Sequence, residues 1–541
     1  MAEIGASDAF EPLDRQLADL LAGDEAKEIH RQVMLLSAAV REGHVCLPVP
    51  SALHPSMRAS QAVGEPGAAK PLILDAEGRL YFHRYWRYES RLAQRLLKQA
   101  KSEIEAPPPA WLDRQLSSLF PNAPSQRRAA QTAANQALCL ISGGPGTGKT
   151  TTVAGLIAAL LAWRPALQIE LAAPTGKAAA RMQQALVEAG RRLPISPEVG
   201  KLMPATAKTL HRLLGYRADS VAFRHHRDNP LPADVVVVDE ASMIDLALMS
   251  KLLEAVRPDT RLILLGDKDQ LASVEAGAVL GEICAAAKQT KLEENLVFLD
   301  RSYRFDAAAG LGQLAKAVNA GQTEEVLALL RDPAVTGITL HEQGSAGKLA
   351  IPQLQHQLQP WRRGCDPNEG LAAFERFQVL CVHRQGRYGV AGLNRSLERG
   401  LFNSTVMPDW YPGRPVMILE NDYRSGLYNG DIGIAGGGER GLRVFFHQQS
   451  AIAHFLPARL PAHQTAYAMT VHKAQGSEFD EILLILPPED SPLLTRELIY
   501  TAITRARQKV CILGSISAIE QAVSRPTQRR SGLRDQLINF K

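Results

Sequence analysis

Short apolar runs alternate with stretches of helical spacing through the middle and the end of the chain. The first four runs are Ala137–Ile141, Ile169–Ala173, Val235–Val238 and Leu262–Leu265. Strands buried on both faces read this way, because helices cover each side of a parallel sheet. Gln378–Val382, Ile482–Leu486 and Val510–Leu513 repeat the pattern. The expected fold class is therefore α/β, with two parallel-sheet domains in tandem. Pro408–Ala435, rich in Gly, Tyr and short alternating segments, predicts a small β insert in the second of them.

Upstream the pattern is different. Asp14–Arg41 carries helical apolar spacing, with Leu17, Leu20 and Leu21 and then Val33 and Leu36. Alternating segments on either side of Asp75–Gly78, within Pro71–Phe82, predict a hairpin, and a charged helix is expected over roughly Tyr85–Ile104. Three successive prolines in Glu105–Ala110 continue neither a helix nor a central strand and mark a boundary. The expected division is residues 1–108 as a small mixed α+β domain, 109–335 as the first parallel-sheet domain, and 336–541 as the second, with its insert at about 405–465. The first of these holds no catalytic motif. It serves either to contact another protein or to cap the domain that follows.

Composition narrows the class without naming it. A chain of 541 residues suggests three or four domains at about 150 residues each. With 45% hydrophobic and 22% charged residues it matches an ordinary globular mix. No apolar run approaches the roughly 18 residues that cross a bilayer, and the start at Met1-Ala-Glu-Ile-Gly5 has no basic segment followed by an apolar one, so export is not expected. The six cysteines (Cys46, Cys139, Cys284, Cys365, Cys381, Cys511) form no CxxC and read as reduced thiols of a cytoplasmic protein. A net charge of +5 permits a polyanionic partner and does not require one.

Chemistry enters at Gly143-Gly-Pro-Gly-Thr-Gly-Lys-Thr150, directly after a predicted strand and opening a predicted helix, Thr150–Trp163. In that context GxxxxGK[ST] wraps a polyphosphate in backbone amides at a helix N-terminus. The expected nucleotide contacts are Gly143, Gly144, Pro145, Gly146, Thr147, Gly148, Lys149, Thr150 and Thr151. Lys149 reaches the β- and γ-phosphates and Thr150 ligates Mg²⁺. In Val235-Val-Val-Val-Asp-Glu-Ala-Ser242 a buried strand ends in two carboxylates. Asp239 is expected in the Mg²⁺ shell and Glu240 at the attacking water. After the next strand, Gly266-Asp-Lys-Asp-Gln-Leu271 places Gln270 to sense the γ-phosphate. A helix cap with an exposed glutamine is the bland alternative there.

A P-loop alone leaves kinases, GTPases, regulatory ATPases and motors open. No guanine-reading NKxD segment is visible. The segments Ala172–Ala179, Val237–Met243, Gly266–Leu271, Leu299–Phe305, Val471–Glu478 and Tyr500–Arg507 resemble, in order, the motifs of superfamily 1 helicases over about Ser125 to Val510. Within that superfamily the chain is most similar to the RecD family, the alpha subunits of exodeoxyribonuclease V. Asp267–Gly277, Arg529–Leu533, Gly43–Pro48, Asn421–Tyr423 and Tyr428–Asp431 carry that closer likeness.

The resemblance implies RecA-like P-loop domains, an SH3-like insert, and roles residue by residue. Gln126 matches the glutamine that reads adenine. Arg304 and Arg505 match the arginines that approach the γ-phosphate, and Gly476 and Glu478 match nucleotide contacts from the second domain. Thr175, Thr209, His211, Thr470 and His472 lie in motifs placed along single-stranded DNA. Each also has an ordinary reading: a paired surface arginine, a capping threonine, a buried histidine.

The implied activity is ATP-dependent 5′–3′ translocation on single-stranded DNA. It would serve a RecBCD-type helicase–nuclease in double-strand break repair and recombination. RecB-like and RecC-like partners, and single-stranded and end-containing double-stranded DNA, come with it. The nuclease centre would lie in a partner, since no carboxylate-plus-lysine nuclease cluster is visible here. The short N-terminal region, without a helix-hairpin-helix signature, favours a subunit over a free-standing helicase of the same branch. A regulatory DNA-binding ATPase that switches without travelling is the rival of another class. The basic tail after Arg525 reads either as a DNA contact or as disordered chain, and disorder is the expectation.

Overall fold

The computed structural model describes residues 10–23, 27–217, 220–303, 310–362, 364–404, 408–422, 424–438, 441–448 and 451–539. Two parallel sheets form its centre. The first has six strands, in the order Leu296–Leu299, Leu138–Gly143, Arg261–Gly266, Val235–Val238, Ile169–Ala173 and Lys208–Thr209. The second has five, in the order Ile338–His341, Ala506–Leu513, Phe479–Ile485, Phe377–Cys381 and Ala468–Thr470. Every pairing in both is parallel. Helices cover both faces, so the central strands are apolar without alternation: Val235–Val238 is buried at all four positions. Helix Lys149–Trp163 is apolar on nearly every side, with Thr152 through Leu161 buried, because it lies between the sheet and further helices.

Each predicted central strand is present, with ends within two residues of the reading except that Phe479–Ile485 and Ala506–Leu513 begin three and four residues earlier. The edge strands were not anticipated. Lys208–Thr209 has two residues and no apolar run, whereas Leu296–Leu299 is apolar at all four positions, with Phe298 exposed because the strand lies at the sheet edge. The insert is a five-stranded antiparallel sheet, ordered Ala451–Phe455, Gly441–Gln448, Ile432–Gly438, Pro415–Ile418 and His463–Thr465. Its strands lie within the expected 405–465 and extend past Pro408–Ala435, the stretch whose Gly, Tyr and short alternation signalled it.

At the N-terminus the expected helix over Asp14–Arg41 divides into Pro12–Ala22 and Lys27–Arg41. Gly23 ends the first at φ +51, a backbone that apolar spacing cannot reveal. The hairpin is as read, with Ile73 opposite Tyr81 and Leu74 opposite Leu80, and helix His83–Ala100 follows. That helix does not stand apart. Leu92 and Leu96 share one core with Leu138, Leu252 and Leu262 of the first parallel-sheet lobe.

The tail corrects its expectation outright. From Arg525 it crosses back over the first lobe and ends in helix Leu533–Asn539, whose Leu533 and Leu537 enter the same core at 1% exposure. Hydrogen bonds hold it along the way. Thr527 Oγ1 and N donate to Glu497 Oε2, Arg529 Nη2 donates to Ser273 O, and Arg530 N donates to His44 Nδ1. Two arginines and a Ser-Gly pair look like solvated chain in sequence. Here they fill a prepared seam, which sequence polarity does not show.

Candidate active site

The P-loop joins the carboxyl end of strand Leu138–Gly143 to helix Lys149–Trp163, the standard place for a ligand in an open parallel sheet. Gly148 turns at φ +82, and a side chain there would collide with the Gln126 amide at 1.9 Å. That amide donates to Thr147 O and Gly148 O, both at 3.4 Å, so Gln126 is seated against the loop. Lys149 Nζ donates to Gly143 O at 2.5 Å and Gly144 O at 3.0 Å, which folds the ammonium into the cradle.

The next two strands deliver the acids and the amide. Glu240 adopts a left-handed backbone (φ 52, ψ 41) where strand Val235–Val238 turns into a short helix, and its N–H donates to Asp239 Oδ1 at 2.8 Å. For a residue with a long side chain that conformation costs about 1–2 kcal/mol, and such strain gathers where chemistry dictates geometry. Burial and the adjacent Glu240 carboxylate push the Asp239 carboxyl above its ordinary range, while Lys149 pulls it back. After strand Arg261–Gly266, Asp267 and Gln270 are both buried, and Gln270 Nε2 donates to Asp267 Oδ2 at 3.0 Å.

A cavity of about 660 Å³ gathers these parts. Gln126, Pro145, Gly146, Thr147, Gly148, Lys149, Thr150, Thr151, Asp239, Glu240 and Gln270 line it from the first lobe, and Glu478 and Arg505 from the second. Gly143, Gly144 and Gly476 stand just behind. The first two accept from Lys149, and the third accepts from Arg181 Nη1 at 3.1 Å. Arg505 is 2% exposed. Its guanidinium donates to Thr501 O at 3.1 Å and Ser477 O at 3.3 Å, which fixes its direction. Burial lowers its pKa, and Glu240 and Asp267 raise it. Arg304 lies outside the described residues. Its neighbour Tyr303 lines the cavity and donates its N–H to Gly146 O at 2.8 Å.

The five residues expected along DNA sit at carboxyl ends of strands or just beyond them. Thr175 and Thr209 cap helices Gly176–Arg192 and Leu210–Leu214 through their hydroxyls. Thr470 is buried and accepts from Lys473 N at 3.3 Å. His211 packs edge-on to Tyr216 and Phe223, and burial lowers its pKa. His472 is lowered by burial and then by Arg529 and Arg384. Thr175, Thr209 and His211 belong to the first lobe, and Thr470 and His472 to the second.

Sequence reading missed Arg181, Tyr303 and Tyr500. Arg181, on helix Gly176–Arg192, lines the cavity and forms an ion pair with Glu478 across the two lobes. Its position two residues beyond Ala172–Ala179 was the only available signal.

A P-loop between two parallel-sheet lobes, completed by an arginine from the second, defines a helicase-type nucleotide hydrolase. Models of an AAA domain and of a UvrD-like helicase C-terminal domain match residues 126–276 and 465–513. A model of the N-terminal domain of the RecBCD enzyme subunit RecD matches residues 6–57. The RecBCD enzyme subunit RecD of Mycolicibacterium smegmatis is 39% identical over 98% of both chains. That of Haemophilus influenzae is 34% identical over 84% of this chain and 80% of its own. The ATP-dependent RecD2 DNA helicase of Deinococcus radiodurans is 34% identical over 74% of this chain and 50% of its own. The chain belongs to the RecD family.

Proposed function

We infer that the chain is an ATP-driven 5′–3′ DNA translocase and helicase, acting as the RecD-type subunit of a RecBCD-type helicase–nuclease in double-strand break repair and recombination. The observation that carries this is the shared cavity: Lys149, Asp239, Glu240 and Gln270 face it from one lobe, Glu478 and Arg505 from the other. Lys149 and the P-loop amides bind the phosphates, and Gln126 reads the base. Thr150 and Asp239, a hydroxyl and a carboxylate on the same cavity, suit Mg²⁺. When bound, Mg²⁺ supplies charge neutralisation at the phosphate oxygens. Glu240 takes a proton from the attacking water, Gln270 orients that water, and Arg505, joined by Arg304, meets the charge that develops on the γ-phosphate.

Because both lobes contact the γ-phosphate, binding draws them together and hydrolysis releases them. Thr175, Thr209, His211, Thr470 and His472, distributed over both lobes, grip a single strand through phosphate and sugar in alternation. Direction follows from family membership. We take 109–335 and 336–541 as the motor domains and 1–108 as the docking domain. RecB-like and RecC-like subunits are the partners and a partner supplies the nuclease. The match of the RecD N-terminal model favours this over the free-standing reading. Leu13 and Leu20, exposed on helix Pro12–Ala22, offer an apolar contact for such a partner. The location is cytoplasmic. Among the described residues no helix is long and apolar enough to cross a membrane.

Lys149→Gln should lower DNA-stimulated ATP hydrolysis by at least about 100-fold and leave the melting temperature in place. Turnover at the wild-type rate would remove the motor assignment.

A further inference from the structure

Gln270 presents an asymmetry that its role at the cavity does not explain. Its Nε2 donates to Asp267 Oδ2, whereas its Oε1 is buried and has no hydrogen-bond partner. A carboxylate accepts and does not donate, so Asp267 binds only the NH₂ end of the amide. The end left over is an acceptor, on a residue that lines the nucleotide cavity. Leaving a buried acceptor unpaired is unfavourable unless a ligand supplies the donor. A water attacking the γ-phosphate is such a donor.

Asp267 is in turn held from the other lobe. Tyr500, on helix Arg496–Ile503, donates its phenol O–H to Asp267 Oδ2 at 3.0 Å, and both groups are buried. Asp269 N donates to Asp267 Oδ1 at 3.1 Å, so three donors converge on this carboxylate; burial raises its pKa above the ordinary range, against Lys149 and the hydrogen bonds from Asp269 and Gln270, which lower it. The same helix takes the far side of the loop: Thr501 Oγ1 accepts from Leu271 N at 2.9 Å. Gln475 Nε2, also of the second lobe, donates to Leu271 O at 3.0 Å. Gln270 thus lies between two points, Asp267 and Leu271, that residues of the second lobe hold.

We propose that Tyr500 is a positioning residue: through Asp267 it fixes which end of the Gln270 amide meets the attacking water, and so makes hydrolysis wait for lobe closure. This rests on the ATP hydrolase reading above and adds to it a route by which the second lobe reaches the water, separate from Arg505. Parting of the lobes breaks the phenol contact, leaves Asp267 with one side-chain donor fewer and lets the amide turn. In the open state the water then lacks its acceptor.

Tyr500→Phe removes one oxygen and keeps the ring. In the full-length chain with single-stranded DNA, kcat for ATP should fall about tenfold, the loss expected for a hydrogen bond to a charged group. KM for ATP and the affinity for a fluorescent ADP analogue should stay within about twofold, since the loss is confined to the chemical step. The discriminating readout is the double variant. If Tyr500 acts through Gln270, adding Tyr500→Phe to Gln270→Ala lowers the single-turnover rate no further. A wild-type kcat for Tyr500→Phe overturns the proposal. So does a full further tenfold loss on the Gln270→Ala background, which would mark a merely structural phenol, or a loss of nucleotide affinity with kcat retained. A wild-type chain that hydrolyses no ATP sinks the ATPase reading and this proposal with it, a result distinct from the other three.

Discussion

At the scale of single residues, the acid pair shows how far a motif can be read. Asp239 and Glu240 follow four valines, so their place at a strand end was evident from the sequence, and both line the cavity. The left-handed backbone of Glu240 was not, since nothing in the residue types demands it. That conformation separates two adjacent carboxylates into different tasks. Glu240→Gln keeps the shape and removes the base. It should lower kcat by at least about 100-fold while nucleotide affinity holds, as read by single-turnover hydrolysis beside a binding titration. Loss of affinity in proportion to rate would move Glu240 from proton transfer to binding. Arg181 was invisible for a different reason: its partner, Glu478, lies almost 300 positions away and on the other lobe.

At the scale of elements, the C-terminal strap is the main departure from the sequence reading. Gly43–Pro48, Asp267–Gly277 and Arg529–Leu533, noted separately as family-like, meet in one seam. Gly277 N donates to Gly43 O at 3.0 Å and Val45 N to Arg530 O at 2.7 Å. Gly43 turns at φ +86, a backbone that favours glycine, and a side chain there would push the Arg529 guanidinium aside. The helix end of the strap is received by Glu89, fully buried, which accepts from Ser531 Oγ, Gly532 N and Gln536 Nε2.

Burial and the facing Glu282 carboxylate push Glu89 up to about 8, against the hydrogen bonds from Ser531 and Gly532 and the charge of Arg79. Tyr81 and Cys46 also face it. The unfolded chain releases this proton near the ordinary glutamate value, so between that pH and about 8 the folded state binds more protons than the unfolded one. Stability should therefore be greatest below the unfolded value and decline as pH rises towards 8, then level. Thermal melting across that range, with Glu89→Gln giving the shallower slope, checks the sign. A wild-type stability that climbs over the same window would mean Glu89 is ionised throughout.

At the scale of the whole molecule, the two parallel-sheet lobes meet over one cavity, and the N-terminal region and the strap brace the first of them. The second lobe is therefore joined to that body twice, by the chain leaving strand Leu296–Leu299 and by the strap, which limits the ways in which it can swing. A motor of this kind holds its track by charge. Affinity for single-stranded DNA should fall log-linearly with salt, with a slope of about 0.7 for each phosphate neutralised. A filter-binding series over salt concentration measures it, and a flat response would mean that DNA is not the track.

The sequence alone determined the class of fold and the nucleotide-binding half of the site. Periodicity and contiguous motifs are local, and a strand, a glycine loop and a helix that follow one another must lie together. It also carried the family through segments whose order is independent of shape. Tertiary structure decided what depends on distant parts meeting: the strap in its seam, Arg181 on Glu478, and Tyr500 reaching Asp267 from the opposite lobe. Each joins polar groups far apart in the chain, and the free energy that buries them comes from packing around them, of which no single stretch of sequence holds a record.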